Sequence, residues 1–197
     1  MNPSQNVGGR WTRRRLVGVA LLAICMIQAS GCAYFARVDL SEYAPAERTL
    51  FLHNFTNQSF QPDVNVELTE IVRREIARRE NFALMKTRDE ARLWVYGEIS
   101  VYRKSGRMFD NLRTPTRFEL LVAARIKVRE KPGENLWFSR EVSARVEYSE
   151  REGFLESEFE ARQRVLRQLA QRVSNVIETE FLNRSTPVTG EEPNTLQ

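Results

Sequence analysis

The stretch Leu93-Trp94-Val95-Tyr96-Gly97-Glu98-Ile99-Ser100-Val101-Tyr102 decides the fold. Leu93, Val95, Gly97, Ile99 and Val101 alternate with Trp94, Tyr96, Glu98, Ser100 and Tyr102. A period of two belongs to a strand with one buried face. The pattern returns twice downstream. Phe118, Leu120, Val122, Ala124, Ile126 and Val128 alternate with Arg117, Glu119, Leu121, Ala123, Arg125 and Lys127. Past the turn Lys131-Pro132-Gly133-Glu134, Val142, Ala144, Val146 and Tyr148 alternate with Glu141, Ser143, Arg145 and Glu147. Connections this short make the three strands antiparallel neighbours.

Helical patterns lie on either side of this meander. Upstream, Thr49 to Phe55 is dense in β-formers and reads as a first strand, closed by the polar run Thr56-Asn57-Gln58-Ser59. Pro62-Asp63 is a helix start with Asp63 as N-cap. Val64, Leu68, Ile71, Val72 and Ile76 then fall on one helical face, with Glu67, Arg73, Arg74, Arg78 and Arg79 on the other, up to an end near Glu80-Asn81. Phe82, Leu84 and Met85 read as a short edge strand or a packed turn. A long helix closes the pattern, from about Leu155 to Leu182, with Phe159, Val165, Leu166, Leu169, Val173, Val176, Ile177 and Phe181 as its apolar stripe. The order β-α-(β)-β-β-β-α predicts an α+β domain. It is expected to be a two-layer sandwich, a mainly antiparallel four-stranded sheet with two α-helices packed on one face.

The N-terminal stretch has a different logic. Leu16 to Ile27 is apolar and spans about 18 Å as a helix, too short for a hydrocarbon core of about 30 Å. It follows Arg13-Arg14-Arg15 and leads into Ala29-Ser30-Gly31-Cys32. This layout resembles a bacterial lipoprotein signal: a basic flank, a short apolar segment, then small residues before the cysteine that takes the lipid. Thr12 to Leu16 also resembles a twin-arginine export signal, so the export route stays open. Ala33 is not the aspartate that resembles an inner-membrane retention signal, which points to the outer membrane. The expected organisation is therefore a signal peptide over 1–31, a lipid-anchored tether over 32–47, a folded domain over 48–183 and a disordered tail over 184–197.

Composition narrows the function classes. The chain has 30 Lys+Arg against 26 Asp+Glu, a formal charge of +4. The excess is Arg10, Arg13, Arg14 and Arg15, all within residues 1–31, so the remainder is formally neutral and gives no support for a nucleic-acid partner. Cys25 leaves with the signal and Cys32 carries the lipid, which leaves no cysteine for a disulfide or a zinc site. The single histidine, His53, sits in the first strand, where a packed or surface role outweighs general-base chemistry. No Gly-rich phosphate loop follows that strand, and the carboxylates fall on solvent faces with ion-pair spacing. No catalytic residue, metal or cofactor is expected.

One segment departs from neutrality. Arg103, Lys104, Arg107, Arg113 and Arg117 face a single acid, Asp110, with Met108, Phe109 and Leu112 interleaved. It reads as a basic loop with apolar tips between two long strands. Such a loop suits a ligand with phosphates and acyl chains, since guanidinium groups grip phosphate bidentately. It equally suits an acidic protein lumen, or an ordinary solvated hairpin. Trp94, Tyr96 and Tyr102 form an aromatic stripe expected on the sheet face away from the helices, either as interface residues or packed under a loop.

Taken in order, these features resemble a known family. They are the lipobox at Cys32, the strand leading into Asn54-Phe55-Thr56-Asn57-Gln58-Ser59, the helix over Leu68–Arg79, and Ala91-Arg92-Leu93-Trp94-Val95-Tyr96-Gly97-Glu98-Ile99. With Leu136-Trp137 and the closing helix, they resemble the LPS-assembly lipoprotein (LptE) family over nearly all of residues 32–183. The resemblance implies a non-enzymatic outer-membrane lipoprotein that plugs the LPS-inserting β-barrel (LptD-type), helps assemble it and contacts LPS. The implied LPS contact lies in the 103–117 segment, with Arg107 and Arg113 nearest and Lys104 behind them. Asp110 stands where the family leads one to expect a base, and Ala33-Tyr34 replaces the family's usual Gly-aromatic pair after the cysteine. The alternative is an outer-membrane lipoprotein that activates a peptidoglycan synthase, a group with a similar strand–helix start. Such proteins need a long tether, whereas residues 33–47 reach about 50 Å at full extension.

Overall fold

In chain order the elements are β1 (Thr49–Leu52), β2 (Thr56–Asn57), α1 (Val64–Arg79), β3 (Ala83–Leu84), β4 (Leu93–Phe109), β5 (Pro115–Glu130), β6 (Asn135–Tyr148) and α2 (Glu158–Ser185). They are seen in a computed structural model that describes residues 39–113, 115–131, 135–149 and 156–185. The expected signal peptide, Cys32 and the tail beyond Ser185 lie outside the described residues.

The α+β class and the two helices on one sheet face are as expected, but the sheet is not four-stranded or mainly antiparallel throughout. Among the described residues it has six strands in the order β3-β1-β4-β5-β6, with β2 also on β4. β4, β5 and β6 form the antiparallel meander. β1 and β2 run parallel to β4, and β3 runs parallel to β1. The parallel part follows from α1, which carries the chain back to the end of the sheet where it started.

The expected first strand is split in two. Between β1 and β2, the Phe55 amide donates to Thr69 Oγ1 at 3.0 Å. Its carbonyl accepts from Asn65 Nδ2 at 3.2 Å, and Thr69 Oγ1 donates onward to the Asn65 carbonyl at 2.7 Å. The helix thus supplies the partners a sheet neighbour would otherwise give. The Phe55 ring, 2 % exposed, is pressed against Gly97. A Cβ on Gly97 would lie 2.2 Å from the nearest ring carbon, so the strand needs glycine there.

Local signals fix the helix ends, partly in unexpected ways. Asp63 borders α1, but at φ 60 and with no side-chain cap; its carbonyl accepts from Val66 and Glu67 instead, both at 3.1 Å. α2 begins at Glu158 rather than near Leu155, because Ser157 and Glu160 form a reciprocal capping box. The Glu160 amide donates to Ser157 Oγ at 3.2 Å and the Ser157 amide to Glu160 Oε2 at 2.9 Å. Phe159, expected in the apolar stripe, lies in this first turn and is 59 % exposed.

The core fills the space between the helices and one sheet face. Leu68 and Val72 of α1 and Leu166, Leu169 and Val173 of α2 meet Leu93, Ile99, Leu120 and Ile126 of the sheet. A polar clamp ties the helices together. Arg79 reaches the buried Glu178 at 2.8 Å and Glu75 at 2.7 Å, and Asn81 Nδ2 donates to Glu178 at 2.9 Å. Residues 39–47, expected as tether, are seated on the domain. Leu40 is fully buried, and the Tyr43 ring meets Phe181 edge-on at 5.1 Å.

The aromatic stripe is broken by a β-bulge. A register shift between Ile99 and Val101 reverses the alternation as far as Gly106. Tyr102 therefore turns to the helix side, packs on the core and points its hydroxyl at Glu158, 3.5 Å away. Burial, with the Glu158 charge beside it, pushes the phenol up to about 12.

The Phe55–Gly97 contact sets a test. Gly97→Ala is expected to destabilise the domain by about 1–3 kcal/mol through overpacking. In the double variant with Phe55→Leu, thermal denaturation should show a loss smaller than the sum of the two single losses.

Candidate functional site

The expected basic loop is mostly strand. β4 runs on to Phe109 and β5 starts at Pro115, so the segment is a two-stranded ribbon with a short turn. From Ser105 to Arg117 no described residue is buried, and the ribbon overhangs the helix layer. Asp110 makes the turn: its carboxylate accepts from the Leu112 amide at 2.9 Å and its carbonyl from the Arg113 amide at 3.0 Å. Arg113 sits there at φ 63. Asp110 thus has a local structural reason to be acidic in an otherwise basic segment.

A strand also sorts the five cations by face. Arg103 pairs in register with Leu121, on the face away from the helices, and Lys104 with Leu120, on the helix face. Lys104 Nζ lies 2.9 Å from Glu158 Oε2 and 4.3 Å from the Phe118 ring centroid. It closes the end of the core. Arg107 Nε is 3.8 Å from Glu119, and Arg117 is 3.8 Å from Glu147. Both pairs are loose and both arginines are half-exposed, which leaves the guanidinium groups available. Arg113 stands at the tip beside Met108, Phe109 and Leu112, which are 55 %, 59 % and 85 % exposed.

The face of the sheet away from the helices adds cations beyond the 103–117 segment. Arg125 lies 3.5 Å from Glu98 and 3.9 Å from Glu141. With Arg107 on Glu119 and Arg117 on Glu147, the carboxylates of this face are matched. Arg103, Lys127 and Arg145 remain exposed with no ion-pair partner among the described residues. The strand period places Lys127 and Arg145 on this face; Arg103 joins them only through the bulge after Ile99, which reverses the alternation.

The remaining aromatics have structural roles. Trp94 is 5 % exposed, donates from its indole nitrogen to the Arg88 carbonyl at 2.9 Å and is covered by the Arg88 guanidinium at 3.9 Å. This is packing under a loop. His53 stacks on Tyr96 at 4.0 Å; burial, helped by the Arg88 charge, lowers its pKa. A recess of about 290 Å³ lies at the opposite end of the sheet from the turn, lined by Tyr43, Arg92, Trp137 and Phe181 among others. Arg92 bridges Glu47 at 3.3 Å and Glu130 at 2.7 Å beside it. Among the described residues no group of three metal-ligating side chains occurs, and no helix is long and apolar enough to cross a membrane.

The geometry defines a class of protein, a two-layer α+β domain whose central hairpin outruns its helices and carries both cations and apolar side chains. The family model LptE, described as lipopolysaccharide-assembly, matches residues 47–177, from the turn before β1 well into α2. The chain belongs to the LptE family. Two solved structures agree on the fold, and a third bears a looser likeness. The protein CT253 from Chlamydia trachomatis is 11% identical with a TM-score of 0.51, covering 68% of this chain and 98% of its own. The protein XCC0632 from Xanthomonas campestris is 10% identical with a TM-score of 0.51, covering 71% of this chain and 90% of its own. The rare lipoprotein B from Shewanella oneidensis is 14% identical with a TM-score of 0.49, covering 69% and 98%. No curated protein matches the chain in sequence.

The split of the cations sets a second test. Lys104→Glu places like charge against Glu158 and should lower the thermal midpoint by about 2–4 °C. Arg113→Glu, at the exposed tip, should leave it within about 2 °C. Equal effects in a differential scanning measurement would mean that the two residues are not divided as described.

Proposed function

We propose that this protein is a non-enzymatic LPS-assembly lipoprotein of the outer membrane, lipidated at Cys32. Its domain seats in the lumen of the LPS-inserting, LptD-type β-barrel, and its β4–β5 hairpin contacts LPS. One observation carries the reading: the exposed hairpin end joins Arg107 and Arg113 to Met108, Phe109 and Leu112. LPS carries phosphates and acyl chains on one molecule, and this end offers a partner to each. Arg103 and Arg117 extend the cationic side along the ribbon, and Lys104, held by Glu158, supports it from behind.

Geometry favours a partner in the same membrane. With residues 39–47 seated on the domain, only residues 33–38 bridge to Cys32, about 25 Å at full extension. That reach is far short of what an activator of a distant peptidoglycan synthase needs. β4 spans about 55 Å, so the hairpin turn stands well away from the end where the chain enters. A domain of this shape suits a barrel too wide to pack its own interior.

Two outcomes test the proposal. Arg107→Glu with Arg113→Glu should weaken LPS binding at least about tenfold, since two phosphate contacts are lost, while the circular dichroism spectrum stays native. Unchanged affinity would remove the hairpin from the contact. Affinity purification of the tagged protein from its own membranes should retain a stoichiometric large β-barrel, and Cys32→Ala should release the protein from the membrane fraction. A peptidoglycan synthase recovered in place of the barrel would overturn the assignment.

A further inference from the structure

An unpaired strand edge is a template for a foreign strand, and folds blunt such edges in identifiable ways. β2 and β3 are two residues each, too short to recruit a partner. Among the described residues the distal half of β4 has only β5 beside it, and its register shifts at Ile99/Val101, Gly106/Met108 and Met108/Phe109. Such bulges twist an edge away from flat pairing. β6 is different. It is fourteen residues long and pairs with β5 without a shift from Phe138 to Tyr148, so its outer edge is long and regular.

That edge is covered by arginines. Along β6 the carbonyls of Trp137, Ser139, Ser143 and Glu147 each accept a guanidinium bond. Arg184 Nη1 donates to Trp137 O at 3.3 Å, Arg172 Nη1 to Ser143 O, and Arg164 Nη2 to Glu147 O at 2.7 Å. All three come from α2, which lies over the strand. Arg140 adds a weaker bond to Ser139 O at 3.4 Å. Ser139, Ser143 and Glu147 are odd-numbered within the regular stretch, and alternation there puts their carbonyls on one side; Trp137 stands at the register shift that precedes it.

We propose that β6 is a self-association surface for a second copy of this chain, held shut by Arg164, Arg172 and Arg184. The strand is self-complementary about Ser143. Antiparallel pairing with a two-fold axis there sets Glu141 of one copy opposite Arg145 of the other, twice over, and opposite charges across a pair stabilise it. Arg172 occupies the carbonyl at the centre of that axis. Docking of another strand must displace all three guanidinium groups, so the single-copy state persists. This inference is independent of the LPS-assembly reading.

The test uses the full chain purified in detergent. Arg164→Ala, Arg172→Ala and Arg184→Ala together should convert a monomer into a dimer in sedimentation. New hydrogen-exchange protection should appear between Trp137 and Glu147. In that background Arg145→Glu sets like charges face to face and should return the monomer, and adding Glu141→Arg should restore the dimer. A triple variant with a native circular dichroism spectrum that stays monomeric overturns the proposal. So does a dimer indifferent to Arg145→Glu, or a parent chain that is already dimeric. Should the triple variant not fold, Arg164→Gln, Arg172→Gln and Arg184→Gln together are read by the same criteria, because glutamine keeps most of the side-chain stem on the helix yet is too short to reach the carbonyls.

Discussion

The contact between the Phe55 ring and the bare Cα of Gly97 is the constraint on which the rest of the structure depends. A ring 2 % exposed can sit there only because β4 presents no side chain; a Cβ would be 2.2 Å away. Around it, Thr69 and Asn65 of α1 hold the Phe55 backbone at 3.0 and 3.2 Å. One residue thereby fixes where the first strand breaks, where α1 docks, and how β1 and β2 align with β4. Because β4 is also the edge of the antiparallel meander, the same contact joins the parallel and antiparallel halves of the sheet. Its polar bonds add little each, but they leave no buried amide or carbonyl of Phe55 unpaired, which is where the larger cost would arise.

The central hairpin shows how a strand converts a charge cluster into two different things. Adjacent residues on a strand point to opposite faces. Arg103 and Lys104 are neighbours in sequence and serve different ends: one stands exposed on the open face, the other sits 2.9 Å from Glu158 and above the Phe118 ring. A basic run counted along the chain overstates the number of cations that a ligand can meet together. The open face corrects the count upward again, since Lys127 and Arg145 arrive there from β5 and β6.

The arginines of α2 have a comparable double use. A helix face with many arginines reads as solubility and ion pairing, as in the Arg162–Glu67 contact at 3.0 Å. Three of them also donate to backbone carbonyls along the outer edge of β6, Arg164 while ion-paired with Glu156 at 2.8 Å. Nothing in the helix period separates those three from the rest. The distinction exists only because α2 lies across β6.

What the sequence determined by itself is what local chemistry decides. The period of two marked the three long strands, the period of 3.6 marked both helices, and the order of motifs from Asn54-Phe55 to Gly97-Glu98-Ile99 pointed to the family. These are nearest-neighbour properties, set by which side chains share a face. Tertiary structure alone decided the mixed six-stranded sheet, because pairing β1 and β2 parallel to β4 depends on contacts some forty residues apart. It alone decided that Tyr102 faces the helices, because the bulge after Ile99 arises from how β4 fits β5. The seating of Leu40 and Tyr43, which look like tether in the chain, likewise required the Phe181 end of α2 to be in place. Periodicity says which residues want to be buried; only the packed molecule says against what.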